Sequence, residues 1–137
     1  MAHRRRFSAF VASESDSHST ILEALQFARD FLRGSCLDER ARVKAAIIVE
    51  ELVSNCLHHG GPNKDIALWL SLEDSGDGVQ LHIEDDGGRF DPTQAPEVVG
   101  PDPKTGGGVG LAIVAAWASD ITYARTNGCN ALSMTIT

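Results

Sequence analysis

Two spacings of apolar residues alternate along this chain. Ala45, Ile48, Val49, Leu52, Val53 and Cys56 recur at i, i+3, i+4, i+7, i+8 and i+11, the single stripe of an amphipathic helix. Farther on the period drops to two. Ile66, Leu68, Leu70 and Leu72 alternate with Ala67, Trp69 and Ser71, and Val79, Leu81 and Ile83 alternate with Gln80, His82 and Glu84. Each run predicts a strand with one buried face, and the turn-rich Glu73–Gly78 between them predicts a hairpin. The flanking elements follow by the same reasoning. Phe7 to Ala12 predicts a short first strand, and Ser13 to Ser19 a polar loop. Thr20 and Glu23 have capping-box spacing and open a helix that runs to about Arg33 and stops at Gly34. Asp38 caps the long helix, which ends at Gly60-Gly61-Pro62. A helix from Leu111 to about Ser119 follows the glycine run. Two last strands, Ile121–Thr126 and Ala131–Ile136, flank Asn127-Gly128, a strong two-residue hairpin signal. Helices and strands do not alternate, so a doubly wound parallel sheet does not fit. The order predicts an α+β fold, a largely antiparallel sheet with helices packed on one face.

Composition narrows the options. A chain of 137 residues fits one domain and can bury a core. The formal charge of −7 argues against non-specific binding to nucleic acid or to an anionic membrane surface. Three cysteines, Cys36, Cys56 and Cys129, match no metal spacing and predict reduced thiols, two of them in apolar surroundings, in a cytoplasmic protein. No stretch has the roughly 18 apolar residues of a membrane span. Phe7 to Ala12, after four basic residues, is too short and mixed for a signal-peptide core.

Candidate chemistry sits where the pattern is broken. Glu51 and Asn55 are four apart on one edge of the long helix's apolar stripe. The acid can take a proton from a hydroxyl, and the amide oxygen can ligate Mg²⁺; a solvated helix edge is the plain alternative. In the second strand the inward phase runs Val79, Leu81, Ile83 and then Asp85. A carboxylate there requires a partner with donors, unless the strand simply ends at that turn. Four of the five prolines fall between Asp91 and Thr105, which predicts an irregular loop of a length used for lids and binding loops. Gly106-Gly107-Gly108-Val109-Gly110 then enters a helix. Such an entry lets backbone N–H groups approach an anion. Neither a Rossmann strand nor the Lys-Ser/Thr of a Walker A loop accompanies it.

Glu51-x-x-x-Asn55, Asp85-x-Gly87 and Gly106-x-Gly108-x-Gly110, in that order, resemble the ATP-binding domain shared by gyrase, heat-shock chaperones, histidine kinases and mismatch-repair ATPases, the Bergerat or GHKL fold. Within it the chain looks most like the stand-alone anti-sigma-factor serine kinases of bacterial partner switching. The short length, Asn55-x-x-x-His59-Gly60 and Asp85-Asp86-Gly87-x-x-Phe90-Asp91-Pro92 favour that branch. The resemblance implies a single histidine-kinase-like domain over 1–137: a two-layer sandwich whose mixed, mostly antiparallel sheet is covered on one face by about three helices, with an ATP lid at 91–107. It implies ATP and Mg²⁺. Glu51 would be the general base and Asn55 the Mg²⁺ ligand. Asp85 would accept a hydrogen bond from the adenine amino group, and Gly87 would let the base approach. Gly106, Gly108 and Gly110 would wrap the phosphates, with Lys104 as the nearest cation. His59 would serve helix packing or lid contact. The chain departs from the family pattern at Arg89, where a glycine is expected, and at Gly107, where many relatives carry arginine. Both put catalytic rate in doubt more than nucleotide binding.

The resemblance implies a serine/threonine kinase that sequesters a sigma factor and phosphorylates a serine of a small STAS-type antagonist, and homodimers are usual among such relatives. A second reading is a nucleotide-gated binding module with little kinase activity. A third, the ATPase domain of a two-component histidine kinase, needs a dimerisation helix pair that residues 1–60 leave no room for. The two tryptophans, Trp69 and Trp117, are expected in the core.

Overall fold

A computed structural model describes residues 3–12, 17–59, 65–91, 93 and 107–137. The elements run β1 (His3–Val11), α1 (Ser17–Arg33), α2 (Glu39–His59), β2 (Ile66–Asp74), β3 (Val79–Asp85), α3 (Gly107–Trp117), β4 (Ser119–Thr126) and β5 (Cys129–Ile136). The five strands form one sheet in the order β1-β2-β3-β5-β4. Every pairing is antiparallel, so among the described strands the sheet is antiparallel throughout rather than mixed.

Register turns the period-two patterns into layers. Leu70 faces Ile83, which faces Leu132; Leu72 faces Leu81, which faces Met134. Opposed residues point to the same side of a sheet, so these rows make one apolar face. The stripe of α2 packs on it, and Ile48, Val49 and Val53 are wholly buried. Helices α1 and α3 flank α2. Asp38 caps α2: Ala41 N donates to Asp38 Oδ1 at 2.8 Å. The β4–β5 turn puts Asn127 at φ 54° and Gly128 at φ 78°, the two left-handed positions of a tight hairpin turn.

The opposite sheet face is polar. There His82 joins Ser133 at 2.6 Å and Glu84 at 2.7 Å. Trp69 lies on this outer face, 44 % exposed, and is not a core residue. Trp117 is half-buried, with Lys44 Nζ 5.6 Å from its ring centroid.

Several boundaries differ from the sequence reading. β1 begins at His3, because all nine of its residues pair with β2. Tertiary pairing thus overrides the poor strand preference of four successive basic residues. α1 begins at Ser17, which places Thr20 inside the helix and not at its cap. α3 begins at Gly107 and ends at Trp117, so Gly107, Gly108 and Gly110 belong to its first turn and Ser119 already starts β4. Cys36 is exposed, Cys56 and Cys129 are half-buried, and all three are free. Most of the proposed lid, with Lys104 and Gly106, lies outside the described residues, as does the side chain of His59. No helix among the described residues is long and apolar enough to cross a membrane.

Candidate functional site

The inward rows of the sheet end in polar residues. Leu68, Asp85 and Asn130 stand opposite one another across β2, β3 and β5. One step beyond the hydrophobic rows, the sheet therefore places a carboxylate beside a carboxamide, 7 % and 6 % exposed. A pocket of about 410 Å³, its open side included, lies between them and the C-terminal half of α2. Leu52, Ile83 and Leu132 supply apolar wall, and Phe90 and Tyr123 supply aromatic wall. Asn55, Cys56, Asp85, Gly88 and Asn130 supply the polar part.

Asp85 is held from three sides. Gly87 N donates to Oδ1 at 2.9 Å, and Asn130 Nδ2 donates to the same oxygen at 3.1 Å. Cys56 is the third partner, its thiol donating to the carboxylate. Burial pushes that thiol well above its ordinary range, and the charge and hydrogen bond of Asp85 push it further, so it stays protonated. Neither amide donor goes to Oδ2. The carboxylate thus has one oxygen fixed by protein N–H groups and a second that can accept from a ligand. Beside apolar and aromatic walls, this arrangement suits a flat ring bearing an amino group.

Asn130 is the hub of the site. Besides Asp85, its Nδ2 donates to Gly88 O at 2.9 Å. Its Oδ1 accepts from Phe90 N at 3.3 Å, from Arg125 Nη1 at 3.0 Å and from the Tyr123 hydroxyl. Arg125 Nη1 also donates to Gly87 O at 3.1 Å. Three donors on one end and two acceptors on the other fix the orientation of the amide. The β4–β5 hairpin is thereby tied to the loop that follows β3. The sequence reading missed Asn130, Tyr123 and Arg125. The rule that exposed Asp85 would have found the first of them: stepping back by two from Ile136, Met134 and Leu132 lands on Asn130.

On α2, Asn55 lines the pocket and is 8 % exposed. Its Nδ2 is shut off from solvent without a hydrogen-bond partner. An unpaired buried amide N–H costs about 1–3 kcal/mol, a cost that an acceptor atom of a ligand or water would remove. Glu51 is half-buried one turn earlier on the same helix edge and is not part of the pocket wall. Of the sequence candidates, the structure brings together Asn55, Asp85 and Gly87. Gly108 and Gly110 stand in the first turn of α3. The opening N–H groups of a helix have no intrahelical acceptors and favour an anion. Among the described residues no three His, Cys, Asp or Glu side chains converge as a metal cage.

Comparison with known proteins agrees with this geometry. The model of the histidine kinase-like ATPase domain matches residues 15–136. A serine/threonine-protein kinase, BtrW of Bordetella bronchiseptica, is 32 % identical over 100 residues, which span 70 % of each chain. The match takes in the Asp85–Asn130 pair, the Asn55 helix and the glycine-led α3 together, and the chain belongs to the histidine kinase-like ATPase family, a family of ATP-binding domains.

Proposed function

We propose that this chain is a cytoplasmic, ATP- and Mg²⁺-dependent serine/threonine protein kinase that acts as an anti-sigma factor in partner switching. The observation that carries the reading is the Asp85 carboxylate, held by Gly87 and Asn130 on one oxygen at the mouth of an apolar slot. The kinase named above, similar over most of its length, supports the reaction type.

In this reading Asp85 Oδ2 accepts a hydrogen bond from the adenine amino group, and Gly87 and Gly88 leave room for the ring. Asn55 would hold Mg²⁺ through its side-chain oxygen. The cation would offset phosphate charge and would keep water in its shell, since Mg²⁺ dehydrates reluctantly. Gly106, Gly108 and Gly110 offer backbone N–H groups to the phosphates, with Lys104 adding charge. ATP supplies the transferable γ-phosphoryl group, and the metal offsets its negative charge. Glu51 accepts the proton of the acceptor serine's hydroxyl as that oxygen takes the phosphoryl group. The acceptor is a serine of a small STAS-type antagonist, and the sequestered partner is a sigma factor, bound by a homodimer.

A second reading, a nucleotide-gated binding module, draws on the position of Glu51 outside the pocket wall. One experiment separates the two. Glu51→Gln is titrated with ATP and Mg²⁺ by calorimetry and then assayed for transfer of labelled γ-phosphate to an antagonist protein. The kinase reading requires ATP affinity within about threefold of wild type and transfer lowered by about 10²–10⁴-fold, the usual worth of a general base. Transfer that is absent in wild type, or equal in the variant, sinks the kinase reading. Absence of ATP binding in wild type sinks the nucleotide reading itself.

A further inference from the structure

On the solvent side of the helix layer a trough of about 800 Å³, its open side included, runs between α1 and α2. It shares no residue with the Asp85 pocket. Two features set it apart from an ordinary helix seam. Its α2 rim exposes an apolar ridge: Val43 is 56 % exposed and Ile47, one turn on, is half-buried. Its charge is also opposite to that of the whole chain. Arg29, Arg33 and Arg42 line it against one acid, Glu50, although the protein carries −7.

These cations are poorly matched by the protein itself. Among the described residues neither Arg29 nor Arg42 is in an ion pair, and Arg33 reaches Asp30 only at 3.4 Å on an exposed flank. Arg42 is half-buried. Its Nη2 donates to Ser35 O at 3.3 Å, while its Nε is shut off from water with no acceptor. A guanidinium held this way keeps an unmatched charge, and its accessible N–H groups suit a carboxylate.

We infer that the α1–α2 trough docks an acidic amphipathic helix of a partner protein. The partner's apolar positions at i, i+3 or i+4 and i+7 rest on Val43 and Ile47, and carboxylates on its flank meet Arg29, Arg33 and Arg42. The lining runs from Leu25 to Arg33 on α1 and from Arg42 to Glu50 on α2, about 12 Å along each helix and enough for two to three turns of a third helix. The mismatch between a cationic trough and an acidic protein selects the partner's sign. A basic helix would meet the rim guanidiniums with like charge.

The test uses a fluorescein-labelled peptide designed as a Leu/Glu amphipathic helix, with a Lys-for-Glu version as control, titrated into the full chain by anisotropy. The acidic peptide is expected to saturate. Its affinity should fall by at least about tenfold in the Arg29→Glu/Arg33→Glu double variant, which reverses two rim charges. Val43→Asp, an exposed position that tolerates polarity, should weaken binding to a similar degree. Calorimetry with ATP on the same variants should be unchanged, which separates this surface from the nucleotide site and confirms folding. The inference is overturned if the acidic peptide fails to saturate, if the Lys version binds as well, or if the double variant binds like wild type. A dimer in sedimentation that Val43→Asp converts to monomer also overturns it, because a second copy then covers the trough.

Discussion

Replacing Asp85 with Asn changes one atom of the side chain and should divide stability from binding. The two N–H donors that reach Asp85, from Gly87 and Asn130, both land on Oδ1 at 2.9 and 3.1 Å. An asparagine that keeps its oxygen there retains both bonds, so the fold loses only the thiol contact from Cys56. Its NH₂ then takes the place of Oδ2 and presents a donor where an adenine amino group presents another. Hydrogen bonds to a charged acceptor contribute about 1.5–3 kcal/mol. Their loss predicts Kd for ATP raised by about 10–150-fold. ADP should lose the same factor, because the base is common to both. GTP should lose much less, because a guanine oxygen can accept from the new NH₂. Calorimetry with all three nucleotides and Mg²⁺, beside a thermal melt, reads every arm. An ATP affinity within threefold of wild type would refute the role of Asp85. So would parallel losses for ATP and GTP, and a large fall in melting temperature would mean that the carboxylate serves the fold. Cys56 provides an independent check. Burial is the main reason its thiol titrates high, and Asp85 adds to it. In the variant the thiol should titrate lower and alkylate faster at mildly alkaline pH.

Three other substitutions probe separate links. Asn55→Leu removes the unpartnered Nδ2 from an apolar surrounding; the free protein should match or exceed wild type by about 1 kcal/mol in urea unfolding, while Mg²⁺-dependent ATP affinity falls, and a loss above about 2 kcal/mol would show that the amide is satisfied. Asp38→Ala removes the cap at the start of α2 and should cost about 1 kcal/mol in the same assay with no change in ATP affinity. Asp74 is held below the usual carboxyl range by hydrogen bonds from Cys36 and from Gly76 N. A lowered native pKa adds stability above the unfolded value, near 3.9, and loses it as pH falls through the native value. Asp74→Asn should therefore be less stable than wild type near pH 6, with the two curves meeting at low pH; a constant gap across that range would exclude the linkage.

Most of the fold was legible because spacing encodes burial. The alternation in β2 and β3 and the stripe in α2 each describe a half-buried surface, and Asp85 stood out as the one inward position that broke its pattern. The boundaries were less legible where pairing decides them. Nothing local in His3-Arg4-Arg5-Arg6 favours a strand; nine partners in β2 make it one. Thr20 and Glu23 have cap spacing, yet the helix extends a turn further back, because a capping signal does not forbid helix before it. Residue type alone predicts Trp69 in the core, whereas the alternation around it places it outward, where it lies. Within the site, the residues on elements with strong patterns, Asn55 and Asp85, could be placed from sequence. Asn130 lay in an equally regular strand but was passed over, since asparagine near a turn is ordinary. Tyr123 and Arg125 carry no sequence signal at all. Their roles arise only once β4 lies beside β5.

The Asn130 hub also bears on how the protein is made. Asp85, Gly88 and Phe90 leave the ribosome well before Asn130, the residue that ties them together. The first 128 residues contain Asp85, yet one of its two N–H donors, and the amide that holds Gly88 and Phe90, arrive only with β5. The hydrogen-bond network around Asp85 is complete only when the β4–β5 hairpin docks, and a chain stalled before Asn130 carries the motif without that network.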